Sequence, residues 1–162
     1  VMAFLPTDTM LFFTTEDDRI LLRKQKESFG PLLDWYTSDL GIELSISDGS
    51  FVSKLKHPVE TYERIHNFVS SLDHFELTCL QRATLECKSL LMAIAILCGK
   101  LGFQDALVTS RLEEEFQIEI WGVVEGGHDM DRLNNEVTIS SVVTFLHLYY
   151  DYGMRLPRRV GP

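Results

Sequence analysis

No apolar run in the chain is long enough to cross a membrane. The longest, Leu90 to Cys98, falls well short of the ~20 residues a spanning helix needs and reads as a buried core helix. Cysteine is scarce. Cys79, Cys87 and Cys98 form an odd set without a Cys-x-x-Cys pair, which favours buried, reduced thiols in a reducing compartment. The histidines, His57, His66, His74, His128 and His147, make no His-x-x-x-His pair and stand at no ligand spacing to a cysteine. His128, Asp129 and Asp131 share one turn at a helix start, where an N-cap is the ordinary reading, so neither a metal nor another cofactor is expected. There is no G-x-G-x-x-G, no G-x-x-x-x-G-K-[ST] and no G-x-S-x-G. Bases are few: 15 lysines and arginines face 24 acids, for a net charge of −9. From Arg111 to Glu136 eight acids stand against two bases, so that stretch alone carries −6. Such a balance argues against nucleic acid. It suits a basic protein partner, or an acidic face that is simply solvated. No signal or transit peptide is visible, and the opening on Val1 is expected to mark a mature or truncated piece of a longer precursor.

The composition suits one domain: 162 residues, 45% hydrophobic and 24% charged. The periodicities predict a mainly α fold, a helical bundle of about five to six helices with a small β element near the N-terminus. Residues 1–53 read as a mixed α/β segment packed on the bundle, 54–154 as the bundle and 155–162 as a mobile basic tail. The β element would comprise Met10 to Thr14 and Ile42 to Ile46, and Asp48-Gly49 would make a turn. Asp18 to Lys26 has helical spacing. Phe29-Gly30-Pro31 should break it, with Pro31 in the first turn of a helix that ends at Gly41. After Pro58 a helix carries Val59, Tyr62, Ile65, Val69 and Leu72 on one stripe. The next, from about Phe75 to Lys100, is apolar nearly all round in its second half and should be the most buried element. The last helix, from near Asp129 to about Tyr152 after the Gly126-Gly127 pair, would turn Val137, Val142, Phe145, Leu148, Tyr149 and Tyr152 inward.

The stretch Ser110 to Gly122, S-R-L-E-E-E-F-Q-I-E-I-W-G, lies in a helix expected to run from Gln104 to Trp121. At 100° per residue, Val108, Leu112, Phe116 and Ile120 fall on one stripe, and Phe103, Leu107, Ile118 and Trp121 on the opposite one. Two apolar stripes predict cover on both sides, by the core on one and by another layer or a partner on the other. Glu114 lies within the second stripe, among Leu107, Ser110, Gln117, Ile118 and Trp121, while Glu113 and Glu115 point elsewhere and can be solvated. A carboxylate in an apolar stripe costs stability unless something pairs with it. Arg82 and Arg111 are the candidate partners within the chain. The three glutamates do not act as a catalytic pair, no base is placed to activate Ser110, and the residues do not point to an enzyme. Trp35 and Trp121 cap helix ends. Trp35 reads as core, and Trp121 stands evenly between core and contact surface.

The same stretch, with Gly127-His128-Asp129 after it, resembles the signature of the mitochondrial ATP synthase assembly factor 2 family. Thr7-Asp8-Thr9 before an apolar segment matches that family's T-D-T. Gly30-Pro31-Leu32-Leu33-Asp34-Trp35 matches the end of its W-D-P-hydrophobic-x-x-W segment, with Phe29-Gly30 in place of the Trp-Asp. Gly41-Ile42-Glu43-Leu44 matches its glycine-led strand, and the order agrees from Thr7 to Tyr152. The family's usual N-terminal β-rich domain is not among these residues. The resemblance implies a non-enzymatic chaperone of the mitochondrial matrix that holds the unassembled alpha subunit of the ATP synthase catalytic head. It implies a functional role for the middle glutamate of the run, Glu114. The alternative is the same scaffold retained as a structural subunit of a large mitochondrial complex.

Overall fold

The computed structural model describes residues 1–47, 49, 54–123 and 127–151. Asp48, Gly126, Tyr152 and the basic tail, for which a turn, a helix stop, an inward face and mobility were expected, lie outside the described residues. The chain opens with two 3-10 turns, Met2–Thr7 and Thr9–Leu11. Seven α-helices follow among the described residues: α1 (Arg19–Asp34), α2 (Val59–Ser70), α3 (His74–Cys87), α4 (Leu90–Leu97), α5 (Phe103–Ser110), α6 (Leu112–Trp121) and α7 (His128–Asp151).

The mainly helical class holds, but the β element is absent from the described residues. Met10 and Leu11 lie in a 3-10 turn, and all that remains of it is one parallel bridge between Phe12 and Ser47. The reason lies in where the backbone of the extended stretch at 42–47 finds its partners. Ile42 N–H donates to Tyr36 O at 2.8 Å, and Ser47 N–H to Leu11 O at 2.8 Å. The Thr61 hydroxyl donates to Glu43 O at 2.6 Å, and Ser45 N–H donates to His57 Nδ1 at 3.1 Å. Side chains and helix ends do the work of a second strand.

Two helix boundaries and the inward register of α7 also differ from expectation. α1 runs unbroken through Phe29-Gly30-Pro31. Proline normally clashes with the Cβ of the residue before it in a helix. Gly30 has none, so the helix continues and ends instead in a π-turn, Trp35–Asp39, before Gly41 at φ +62°. The long helix expected to end near Lys100 is cut in two. Lys88 takes a left-handed conformation (φ 52°), and Ser89 caps α4 by accepting from Met92 N–H at 2.9 Å. On α7 the inward face is Asn135, Ile139, Val142 and Leu146, while Val137, Phe145 and Leu148 face out. Both faces of α7 carry apolar side chains, so periodicity alone does not select the inner one. Val59 is exposed too, at the start of a stripe that otherwise packs inward.

α4 is the centre of the molecule, with all eight of its residues buried. α3, α5, α7 and the first 3-10 turn pack around it. The Tyr36 hydroxyl donates to Leu91 O at 2.8 Å across this core. Each large aliphatic side chain buried here contributes roughly 1.5–3 kcal/mol. α3 is fixed to α7 at its capping box, where the Tyr149 hydroxyl donates to Asp73 and the Tyr150 hydroxyl to Glu76, at 2.6 and 3.1 Å. None of the three cysteines is in a disulfide. Burial pushes the Cys79 thiol up to about 11 and the Cys87 thiol up to about 12.

Candidate protein-binding face

The single helix expected across Ser110 is two. Arg111, at φ −110° and ψ 9°, interrupts the turn, and α6 restarts at Leu112 without a side-chain cap. The break turns Arg111 inward, where it is 7% exposed and aligned with the acidic run that follows. Its Nη2 donates to Glu114 Oε1 at 2.8 Å and its Nε to Glu115 Oε1 at 3.2 Å. Glu114 is therefore paired within the chain, to Arg111 and not to the exposed Arg82, yet its side chain keeps 31% of its exposure.

The other two glutamates are not simply solvated. Glu115 shares Arg111 with Glu114. Glu113 is exposed as a residue, but its carboxyl tip reaches back to α1 and accepts from Gln25 Nε2 at 2.6 Å. Crowding of that tip by protein raises its pKa, and the Gln25 hydrogen bond offsets part of the rise. Gln25 is fully buried. It also accepts from Thr14 N–H and donates to Phe12 O, so one side chain joins the N-terminal segment, α1 and α6. The preceding residue on α1, Lys24, binds Glu119 at 2.6 Å and lies 5.5 Å from the centre of the Phe116 ring.

Phe116 is the one buried residue of α6, so neither of the two expected stripes is fully covered. On the first, Val108 and Ile120 are exposed and Leu112 is half-buried. On the second, Leu107, Ser110, Glu114 and Ile118 are half-buried, Gln117 is exposed, and Trp121 stands 76% exposed at the end of α6. Ser110 does not belong wholly to the open side: its hydroxyl donates to Leu107 O and reaches the buried Cys87 thiol. Trp121 is surface, whereas Trp35 packs partly against the core, edge-on to Tyr36 at 4.9 Å. Among the described residues no group of three histidines, cysteines or carboxylates is arranged to hold a metal. The face offers exposed aliphatic and indole surface beside carboxylates whose charge is directed by Arg111. Such a surface can bind protein.

The atp12 protein of Schizosaccharomyces pombe, described as mitochondrial, is 35% identical over 149 residues that make up 89% of this chain and 51% of that protein. The chain belongs to the Atp12 family. The mitochondrial ATP12 protein of Saccharomyces cerevisiae is 23% identical, over 90% of this chain and 52% of that one. The crystal structure of Atp12 from Paracoccus denitrificans superimposes with a TM-score of 0.82 at 27% identity, over 91% of this chain and 61% of that one. No family model matches. The chain spans about half the length of the curated Atp12 relatives it matches.

Within this Atp12 framework, Asp8 of the Thr-Asp-Thr segment has a role that the sequence did not show. It is fully buried. Its Oδ1 accepts from Met10 N–H and its Oδ2 from Leu91 N–H, at 3.2 and 3.0 Å, which fixes the N-terminal segment to the start of α4. Burial pushes its carboxyl up to about 6, against the pull of those hydrogen bonds. Gln25 and Lys24 were missed as site residues for a common reason: their contacts cross between helices, and local spacing reports only near neighbours in the chain, such as Arg111 with Glu114.

Proposed function

We propose that this chain is the helical part of an assembly chaperone that holds the unassembled alpha subunit of the F-type ATP synthase catalytic head in the mitochondrial matrix. The role is non-enzymatic. The client docks on the α5–α6 face, with Leu107, Ile118 and Trp121 as apolar contacts and Ser110, Gln117 and Glu114 as polar ones. The observation that carries this reading is the exposure of Trp121, at 76%, beside Glu114 in a chain of the Atp12 family. Large aromatic side chains are enriched at the cores of interfaces, and a lone exposed indole on an acidic helix has ready use there. Acidic charge around it speeds encounter with a basic client surface.

The test is native mass combined with capture. Purified alpha subunit, without its beta partner, should co-elute with the chain as a small complex. Recovery of the protein from mitochondrial extract solely in a megadalton particle, with no capture of the isolated alpha subunit, would instead establish the fixed structural subunit.

A further inference from the structure

Arg111 stands at the break between α5 and α6, and its guanidinium is nearly closed to water. From there it serves two carboxylates on the first turn of α6. Nη2 donates to Glu114 and Nε to Glu115, in each case to a single oxygen, Oε1. Among the described residues nothing else bonds to Glu114, so its Oε2 is an open acceptor. The three glutamates diverge around this anchor. Glu113 turns to Gln25 on α1. Glu115, with Arg111, lines a cleft between α1, α5, α6 and α7, which Glu114 does not line. Glu114 is left on the other side, one and two turns before Ile118 and Trp121.

A glutamate on a helix surface samples several rotamers, and fixing one of them on binding costs side-chain entropy. The bond to Arg111 has already fixed Glu114. Because the guanidinium is buried, salt screens this bond less than it would an exposed pair. The arrangement also limits what Glu114 can accept. An arginine recognises a carboxylate best with two parallel hydrogen bonds, one to each oxygen, and here Oε1 is taken. A lysine ammonium is a compact point charge that one oxygen can satisfy. One guanidinium against two carboxylates leaves a charge of −1 at the anchor, which matches one ammonium.

We propose that Arg111 is a positioning residue for client binding: it holds Glu114 by Oε1 and presents Oε2 to a lysine ammonium of the client. The inference rests on the client-binding reading above and names the group that Glu114 meets. It also gives the break between α5 and α6 a purpose. A continuous helix would carry the same residues, but the interruption at Arg111 is what turns the guanidinium inward, in line with the acidic run.

The experiment is a double-mutant cycle of Arg111→Gln and Glu114→Gln on the full chain, read as affinity for purified alpha subunit, with a thermal melt of each variant. Each single substitution should weaken binding by about tenfold or more. Arg111→Gln should then add nothing in the Glu114→Gln background, because the group it positions can no longer pair as a carboxylate. Arg111→Lys keeps the buried charge without the two-pronged hold and covers the case in which Arg111→Gln fails to fold. It should melt close to wild type and still bind several-fold more weakly. Equal losses from Arg111→Gln in both backgrounds, or wild-type affinity in Arg111→Lys, would overturn the positioning role and leave the functional reading standing. The ammonium is tested by charge reversal. Single lysine-to-glutamate and arginine-to-glutamate substitutions across the alpha-subunit surface are screened against Glu114→Lys. A lysine reversal should restore binding. Restoration by an arginine reversal alone, or by none, would overturn the lysine assignment. Failure of the wild type to bind the alpha subunit at all would bring down the functional reading, and the positioning role with it.

Discussion

Arg111 and Glu114 form an asymmetric pair, with a guanidinium 8% exposed bound at 2.8 Å to a carboxylate 31% exposed. The asymmetry decides which partner matters to the fold. Removing one member of a fully buried pair costs about 3–5 kcal/mol, but water can replace Arg111 at Glu114 far more easily than it can replace Glu114 at Arg111. Arg111 also keeps Glu115 when Glu114 is lost. Glu114→Gln should therefore cost no more than about 1 kcal/mol in urea denaturation. Arg111→Leu, which also frees Glu114 and Glu115 from their common anchor, should cost about 1–2 kcal/mol. Equal, large losses for both would mean that the pair is closed to solvent.

Gln25 is the polar counterpart of a core residue. It satisfies Thr14 N–H and Phe12 O and supports Glu113, all from a fully buried position. Gln25→Leu would strand both backbone groups. About 2–3 kcal/mol of stability should be lost, read as a lower urea midpoint at unchanged m-value. A change under about 0.5 kcal/mol would show that water reaches those groups.

Asp8 gives the protein a pH dependence of unusual sign. Its folded pKa, about 6, lies above the unfolded 3.8. Between those values the folded state binds the extra proton, so stability falls as pH rises through that window. The effect is on the order of 2–3 kcal/mol across the whole window. His57, whose pKa burial lowers, acts in the opposite direction below pH ~6.5. The diagnostic is therefore a comparison with Asp8→Asn. On going from pH 7 to pH 5, wild type should gain melting temperature relative to the variant. Parallel pH profiles would show that Asp8 is ionised without cost.

Cys79 and Cys87 should resist modification. Both are buried with thiols raised well above pH 8, so little thiolate is present to react. In the native protein at pH 8 a thiol reagent should leave both unmodified, and denaturant should release them together. Fast native labelling at either position, located by mass spectrometry, would contradict the packing around α4.

What the sequence made legible was the chemistry of faces more than the geometry of breaks. Leu90 to Leu97 announced its burial through an unbroken apolar run, and Trp121 with Glu114 marked a face of mixed character. Lys88 and Arg111, where helices split, carry no glycine or proline to signal it; their conformations follow from tertiary packing, with Ser89 capping the next helix in one case and Arg111 turning toward the acidic run in the other. The outward register of Val137 and Leu148 was equally hidden, because α7 is apolar on two faces. Met10 to Thr14 looked like a strand by composition, yet strand identity needs a partner, and the facing stretch spends its backbone groups on Tyr36, His57 and Thr61.

The central claim is that the α5–α6 face binds the alpha subunit through Glu114. The most direct measurement is a thermal melt and an alpha-subunit binding assay on the same Glu114→Lys protein. The lysine faces solvent on one side and Arg111 on the other, so a modest loss of about 1–2 kcal/mol is expected, leaving the protein folded at the assay temperature. Binding should nevertheless be abolished, because a lysine replaces the carboxylate that meets a basic client. A Glu114→Lys protein that stays folded and binds the alpha subunit with wild-type affinity would contradict the account.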